Sequence, residues 1–471
     1  MHVHFIAIAG TGMGSLAGLL KTQGHEVTGS DEAVYPPMST ALERWGIPFF
    51  EGFRADHVES HRPDLVVIGN AVRPENPEAR AALDGGLRCL SFPDALYEYA
   101  VAGRHSVVVS GTHGKTTTSA LIATLLHETG QDPSFLVGGI LANFDGSYRE
   151  GGGAAFVVEG DEYDTAFFDK TPKFLHYHPQ TLVLTSVEFD HADIYRDLEH
   201  VKSAFRTLIE QMPSDGLIVA ATAEPNVADV LTDAPCRVVG YAVEPGAADW
   251  CATGLEPGAG GTAFSLSRES AGPLRVFTPM SGRHNVGNSL AALLVLRELG
   301  VPLEEGVPAL ERFRGVKRRM EVRGEAAGVT VMDDFAHHPT AVRETLAGLR
   351  ATHPGRRIVA VFEPRSNTTR RTVFQRDYAR AFSGADRVIV SVVPEAPIYS
   401  ATGEVTEWFS AGQLAEDLAA EGKDAIAIDG VEAIVESLVA DAREGDLVIT
   451  LSNGSFGGIW DLLLAGLEAR G

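Results

Sequence analysis

Short apolar runs recur along the chain, bounded by Gly, Pro or Asp. Val3–Ala9, Leu65–Ile68, Ser106–Val109, Ala155–Val158 and Leu182–Leu184 come first. Val329–Met332, Ile358–Phe362, Val388–Val393 and Leu447–Leu451 continue the series. Runs this short and this continuously apolar predict strands of parallel sheets buried under helices. Helical patterns lie between them at Ser15–Thr22, Ser119–His127 and Ser289–Leu299. The alternation predicts an α/β fold. A glycine-rich stretch, Gly254–Gly261, falls in a less regular region that reads as antiparallel.

The length of 471 residues exceeds one ordinary core and suggests three domains. Breaks at Tyr97–His105 and Arg312–Lys317 place them at about 1–103, 104–314 and 315–471. A hydrophobic share of 44% with 22% charged residues excludes a disordered or fibrous chain. The net charge of −24 excludes a general nucleic-acid binder, because phosphate backbones attract Lys and Arg. An anionic small molecule would then need local cations, backbone N–H groups or a metal ion. The three cysteines form no CxxC pair, which argues against a disulfide framework or structural zinc site and fits a cytoplasmic location. No segment approaches the ~20 apolar residues of a membrane helix.

Two glycine-rich turns follow apolar runs. Gly10, Thr11, Gly12, Met13 and Gly14 follow the first, and a second short strand ends at Ser30 and Asp31. Glycines there let the backbone turn tightly beside a pyrophosphate at a helix start, and an acid after the second strand often meets a ribose hydroxyl. Ser15 stands where a dinucleotide fingerprint has its third glycine, so a nucleotide-type ligand is expected but not NAD in particular. The second turn is Gly111, Thr112, His113, Gly114, Lys115, Thr116, Thr117, between the run Ser106–Val109 and a helical pattern. It is a shortened phosphate loop. Backbone N–H groups would wrap phosphate oxygens, Lys115 would add charge near the β/γ-phosphates, and the Thr116 hydroxyl suits Mg²⁺.

Acids and histidines gather past later strand ends. Glu159-Gly-Asp161-Glu162-Tyr-Asp164 and Glu188-Phe-Asp190-His191-Ala-Asp193 follow two runs, at the edge where open α/β sheets bind ligands. A carboxylate there can hold magnesium bridging ATP phosphates. Asn285 and Asn288 are three apart and share a helix face, suited to capping or to reading an adenine edge. Lys317-Arg-Arg319 is a basic triplet in an acidic protein. Asp333-Asp334 precedes His337-His338, without zinc-ligand spacing.

Taken in order, GTHGKTTT, EGDEYD, EFDHAD, GRHNVGN, KRRMEVRGE and DDFAHHPT resemble the Mur ligases of peptidoglycan metabolism over nearly the whole chain. The resemblance implies a Rossmann-like N-terminal domain for a UDP-sugar, a P-loop-type central ATPase domain, and a Rossmann-like C-terminal domain for the amine substrate. Tyr35-Pro-Pro-Met-Ser39, Phe167-Phe-Asp-Lys170 with Lys173-Phe-Leu-His-Tyr177, Glu363-Pro-Arg-Ser-Asn-Thr368 and Ser452-Asn-Gly-Ser-Phe-Gly-Gly458 look like the recycling branch. That branch joins UDP-N-acetylmuramate to the murein tripeptide L-alanyl-γ-D-glutamyl-meso-diaminopimelate; the branch that adds single L-alanine is the alternative. The implied reaction runs through an acyl phosphate made from ATP. By the same resemblance Lys115, His191 and Arg319 are catalytic. Thr116, Glu159 and His191 are metal ligands, and Asn285, Asn288, Arg319 and Asp334 serve ATP with the phosphate loop. The N-terminal glycine turn, Ser30, Asp31, Asn70 and Ala71 cup the UDP-sugar. No nucleic-acid or membrane partner is expected, and the chain would act as a monomer or weak homodimer. One departure concerns the lysine that several Mur ligases carbamylate fifteen residues after the histidine matched by His191. Arg206 stands there, so no carbamate is expected.

Overall fold

The expected apolar runs form strands of parallel sheets in a computed structural model. It describes residues 1–470 other than Pro36, Pro37, Ala71, Ala166, Glu269, Ser270, Ala396, Pro397, Tyr399 and Ala401. The chain divides into two units. The first holds Met1–Val187, Lys202–Tyr241 and Ala291–Ala309, and the second holds Glu188–Val201, Ala242–Leu290 and Leu310–Gly471.

The first unit opens with a parallel sheet of β1 (His2–Ile6), β2 (Glu26–Asp31), β3 (Phe49–Glu51), β4 (Leu65–Ile68) and β5 (Cys89–Ser91), in the order β3-β2-β1-β4-β5. The strand β1 stops at Ile6, short of the expected Ala9. Ala7 turns into the left-handed region at φ 69°, and the N–H groups of Ala7 and Ile8 both donate to Ser30 O. The second sheet carries β6 (His105–Ser110), β7 (Ser134–Leu141), β8 (Gly146–Arg149), β9 (Ala155–Gly160), β10 (Thr181–Leu184), β11 (Leu217–Ala220) and β12 (Arg237–Ala242). Their order is β12-β11-β10-β6-β9-β7-β8, parallel except for the β7–β8 hairpin.

The strand β6 lies between β9 and β10, which the chain reaches only later. The register sets Glu159 level with Val109, and Leu184 level with Ser110. Three loops therefore leave one carboxyl edge of the sheet together. This is the ligand-binding edge of open α/β sheets. The helix after β6 spans Lys115–Glu128, four residues earlier than its apolar pattern. Its first turn is Lys-Thr-Thr-Thr, which carries no apolar periodicity to read.

In the second unit β13 (Trp250–Gly258), β14 (Gly261–Arg268) and β15 (Ala271–Thr278) form the antiparallel meander expected around Gly254–Gly261. A six-stranded sheet follows, made of β16 (Glu321–Ala326), β17 (Val329–Asp334), β18 (Ile358–Phe362), β19 (Arg387–Val392), β20 (Asp424–Asp429) and β21 (Leu447–Leu451). Its order is β16-β17-β21-β18-β19-β20, with only β16–β17 antiparallel. On β18, Ile358, Ala360 and Phe362 enter one core with Leu346, Tyr378 and Phe382. Val359 and Val361 enter the opposite core with Ile434, Trp460 and Leu463. Burial on both faces is why this strand is apolar throughout, and each large side chain so buried contributes about 1.5–3 kcal/mol. Among the described residues no helix is long and apolar enough to cross a membrane.

Candidate active site

Past Ser110 the chain turns on Gly111 at φ 132° and Gly114 at φ 80°, conformations that favour glycine. A Cβ on Gly111 would collide with Thr185 Oγ1. The turn is held from the β10 loop. Thr112 N donates to Ser186 O (3.0 Å), His113 N to Ser186 Oγ (2.9 Å), and Thr185 Oγ1 to His113 O (2.5 Å). Lys115 then opens the helix. Its Nζ donates to Gly111 O and to Glu162 Oε2, each at 2.7 Å. Burial pushes this ammonium down, but Glu162, Asp161 and Glu159 together hold it above its ordinary value. The first turn has no acid, so a lysine and the positive end of the helix dipole coincide, an arrangement that favours an arriving anion.

Beside it, Thr116 Oγ1 donates to Glu159 Oε2 (3.1 Å), and Gly138 N donates to Glu159 Oε1 (2.7 Å). A Cβ on Gly138 would lie 3.2 Å from that carboxylate, so glycine there leaves it room. A hydroxyl and a carboxylate side by side are hard oxygen donors of the kind Mg²⁺ takes, and the pair fits such an ion.

The N-terminal turn is built differently. The helix Thr11–Thr22 follows Gly10 directly, with neither acid nor base in its first turn. A Cβ on Gly14 would collide with Met38 Sδ, and one on Gly12 would lie 3.5 Å from the Phe92 ring. Ser15, at the place of a third glycine, is fully buried. Its Oγ lies 2.7 Å from Ser147 Oγ on β8 and donates to Thr11 O at 2.7 Å. Asp31 accepts from Ala9 N and Glu32 N at 2.8 Å each. Met13 is buried. Ser30 is sealed inside as well: its hydroxyl donates to Glu78 Oε2 (2.8 Å), and Glu78 also meets His4 Nε2 (2.7 Å). The Ser30 side chain is therefore turned inward, against Glu78. Asn70 Nδ2 donates to Asp164 O (2.7 Å), tying this region to the acidic run. Ala71, Pro36 and Pro37 lie outside the described residues.

In the second unit His191 takes φ 52°, and its N–H donates to Asp190 Oδ1 (2.7 Å). Burial pushes the Asp190 carboxyl up, yet His191, His337, His338 and that N–H hold it well below the usual carboxylate range. The segment is tied down by residues that sequence reasoning had not assigned: Thr368 Oγ1 accepts Ala192 N (3.0 Å), Asn367 Nδ2 donates to Asp193 Oδ2 (2.9 Å), and Arg371 Nη1 donates to Ala192 O (2.7 Å). Asn285 lies inside the helix Arg283–Glu298, donates to Ser281 O (2.8 Å) and accepts from Asn288 Nδ2 (3.1 Å). Asp334 accepts Ala336 N and Met320 N at 2.7 Å each, which fixes the turn carrying Arg319, whose guanidinium lies 4.5 Å over the Phe335 ring. His338 caps the helix Pro339–Thr352 through Thr340 N. In the first unit Arg206 and Lys202 share Asp229 at 2.8 and 3.1 Å, so a guanidinium stands at the carbamate position.

The first unit thus brings Gly111–Thr116, Glu159 and Glu162 into one cradle, and the second carries His191, Asn285, Asn288, Arg319 and Asp334. Glu162 as the lysine's partner, Gly138, and the Thr185–Ser186 brace went unread. Only their place just past the β9 and β10 strand ends signalled them.

Comparison with known proteins matches the chain in three segments. Models described as "Mur ligase family, catalytic domain", "Mur ligase middle domain" and "Mur ligase, glutamate ligase domain" match residues 2–104, 109–296 and 318–454. The chain is 40% identical over 471 residues, all of this chain and 99% of the relative, to the UDP-N-acetylmuramate–L-alanyl-γ-D-glutamyl-meso-2,6-diaminoheptandioate ligase of Escherichia coli K12. A UDP-N-acetylmuramate–L-alanine ligase of Acetivibrio thermocellus is 34% identical over 98% of this chain and 95% of its own length. A solved murein peptide ligase of Psychrobacter arcticus superposes with a TM-score of 0.74 at 36% identity, covering 99% of both chains.

Proposed function

The chain belongs to the Mur ligase family, and from that premise we propose that it is an ATP-dependent ligase of peptidoglycan recycling. It joins the carboxylate of UDP-N-acetylmuramate to the L-alanine amine of L-alanyl-γ-D-glutamyl-meso-diaminopimelate. The observation that carries this reading is the cradle at Gly111–Thr116, where Lys115 and the Thr116–Glu159 pair meet at a helix start. The proposed working domains are 1–103 for the UDP-sugar, 104–314 for ATP and 315–471 for the amine.

A free carboxylate is a poor acyl donor at neutral pH, so its oxygen first attacks the γ-phosphorus and ADP leaves. The amine nitrogen then adds to the acyl-phosphate carbon, the tetrahedral intermediate collapses, and phosphate and the amine proton depart. Lys115 neutralises charge on the transferring phosphoryl group, and the backbone N–H groups that open the helix after Gly114 hold its oxygens. Thr116 and Glu159, with His191, would hold Mg²⁺, whose charge offsets that of the phosphates. Arg319 supports the phosphate, while Asn285, Asn288 and Asp334 serve the rest of the nucleotide. Asp31 and Asn70 belong to the UDP-sugar side.

Relatives at 40% and 37% identity carry the tripeptide in their names, beside L-alanine ligases at 33–37%, and this supports the tripeptide as acceptor. The test supplies UDP-N-acetylmuramate and ATP with either acceptor and follows phosphate release and product mass. The tripeptide should support turnover at least about 10²-fold faster than L-alanine, the discrimination a site built to pair polar groups achieves. Equal or better turnover with L-alanine would reverse the assignment.

A further inference from the structure

Two lysines border the acidic run that follows β9, and they are held in opposite ways. Lys115 has an acceptor on each side, Gly111 O and Glu162 Oε2. Lys173 opens the short turn Lys173–His176 and is stitched to the run through its backbone. Its N–H donates to Tyr163 O (3.1 Å), and Phe174 N donates to Asp161 O (3.2 Å). The Lys173 side chain is nine-tenths buried, with 9% of the residue exposed. Its ammonium lies 4.0 Å from the centre of the Tyr163 ring and 5.5 Å from that of Phe92. The Asp161 carboxylate is 3.9 Å away, beyond hydrogen-bond reach, and among the described residues no acceptor bonds Lys173 Nζ.

An ammonium carries three donors, and the Lys173 side chain, 11% exposed, leaves them open to an arriving acceptor. Ring faces stabilise the charge but accept no conventional hydrogen bond. Burial pushes this lysine below its ordinary value despite Asp161, Asp164 and Glu159. A purely structural lysine in this place would gain from an acceptor, and among the described residues only the Asp161 carboxylate, 3.9 Å away, approaches it as an ion pair.

Its position indicates the missing acceptor. Phe92, one of its two rings, is the residue that Gly12 of the N-terminal turn approaches. Tyr163 and Asp161 belong to the run that flanks the phosphate cradle. A carboxylate brought to the phosphate cradle enters the field of Glu159, Asp161, Glu162 and Asp164, which repels it. Lys115 is already engaged by Glu162. We propose that Lys173 binds the carboxylate of the sugar-nucleotide substrate and holds it among these acids for attack. This assignment rests on the ligase reading above.

The test uses the full chain with Lys173→Met, which keeps the stem between the rings, and Lys173→Arg, which keeps the charge. Wild-type turnover with UDP-N-acetylmuramate, ATP and tripeptide comes first; its absence would sink the functional reading and leave the lysine aside. Given turnover, K173M should raise KM for UDP-N-acetylmuramate about 10- to 100-fold, the loss of one charge-assisted hydrogen bond, while KM for ATP and Tm stay near wild type. K173R should recover most of the loss. UDP-N-acetylglucosamine, which lacks the carboxylate, should bind wild type and K173M equally in calorimetry. An unchanged KM for UDP-N-acetylmuramate, a rise confined to ATP or tripeptide, K173R no better than K173M, or an equal loss of UDP-N-acetylglucosamine binding would each overturn the proposal.

Discussion

The two glycine-rich turns of the first unit look alike in sequence and are built on different physics. Both follow a parallel strand and open a helix. At Gly10–Gly14 the glycines answer close packing, with Met38 over Gly14, Phe92 near Gly12, and Ser15 pairing with Ser147 where a third glycine would stand. Its helix start carries no charge. At Gly111–Gly114 the glycines answer backbone conformation, and the turn is surrounded by Lys115, Glu159 and Glu162. The first turn is fitted to the shape of its neighbours. The second accumulates opposed charges around a helix dipole. Similar punctuation in a sequence therefore says that the chain bends and little about what it bends around.

The comparison can be tested by substitution. The largest effect is expected at Lys115: Lys115→Ala should lower the rate of ATP-dependent phosphate release by about 10²–10³-fold, while UDP-N-acetylmuramate binding measured by calorimetry stays unchanged. A variant with more than half of wild-type turnover would break the charge-based account of the second turn.

The glycines should separate next. Gly111→Ala meets both a positive φ and Thr185, so it should destabilise by about 1–3 kcal/mol and raise KM for ATP. Gly14→Ala meets mainly the far end of the flexible Met38 side chain and should cost about 1 kcal/mol or less. Urea unfolding of the pair decides the order, and equal losses would erase the distinction. Ser15→Ala, which removes hydrogen bonds to Thr11 O and Ser147, should lose about 1 kcal/mol with kinetics at saturating substrate preserved.

The smallest effect concerns pH near the first turn. His176 Nδ1 lies 2.8 Å from Asp94 Oδ1 on the same short helix as Phe92. The hydrogen bond to Asp94 raises the imidazole above its ordinary value, and the same bond lowers Asp94. The histidine's contribution is full below the usual value of about 6.5 and fades as pH rises through its raised value. The carboxylate's contribution is full above about 3.9 and fades as pH falls through its lowered value. The pair therefore contributes most between the two. Because the Asp94 side chain is 42% exposed, solvent screening holds the total to about 0.5 kcal/mol. His176→Gln should lower Tm most between those limits and converge on wild type outside them, and an unchanged profile would remove the pair from the account.

Much of the site was legible because its chemistry is local. The turn Gly111–Thr117 can be read in seven residues, and the acids of Glu159–Asp164 in six. The partners within the cradle were not legible. Lys115 meets Glu162 across 47 residues, and Thr116 meets Glu159 across 43. Nothing in a one-dimensional pattern says which of four neighbouring acids takes which role; the β6–β9 register does. The buried polar group of His4, Ser30 and Glu78 was missed because each residue reads as ordinary surface polarity on its own element. Their burial follows from the crossing of β1, β2 and the helix Pro77–Asp84.

Sequence alone determined the α/β class, the run of buried strands and the place of the phosphate loop. Hydrophobic continuity and backbone-demanding glycines are properties of neighbours in the chain. Tertiary structure alone decided that β6 lies between β9 and β10, and so that Glu159, Glu162, Thr185 and Ser186 surround one loop. It also decided that Ser30 faces inward and that Lys173 lies between two rings with no hydrogen-bond acceptor among the described residues. These are outcomes of strand order and register, where one crossover sets which distant side chains meet.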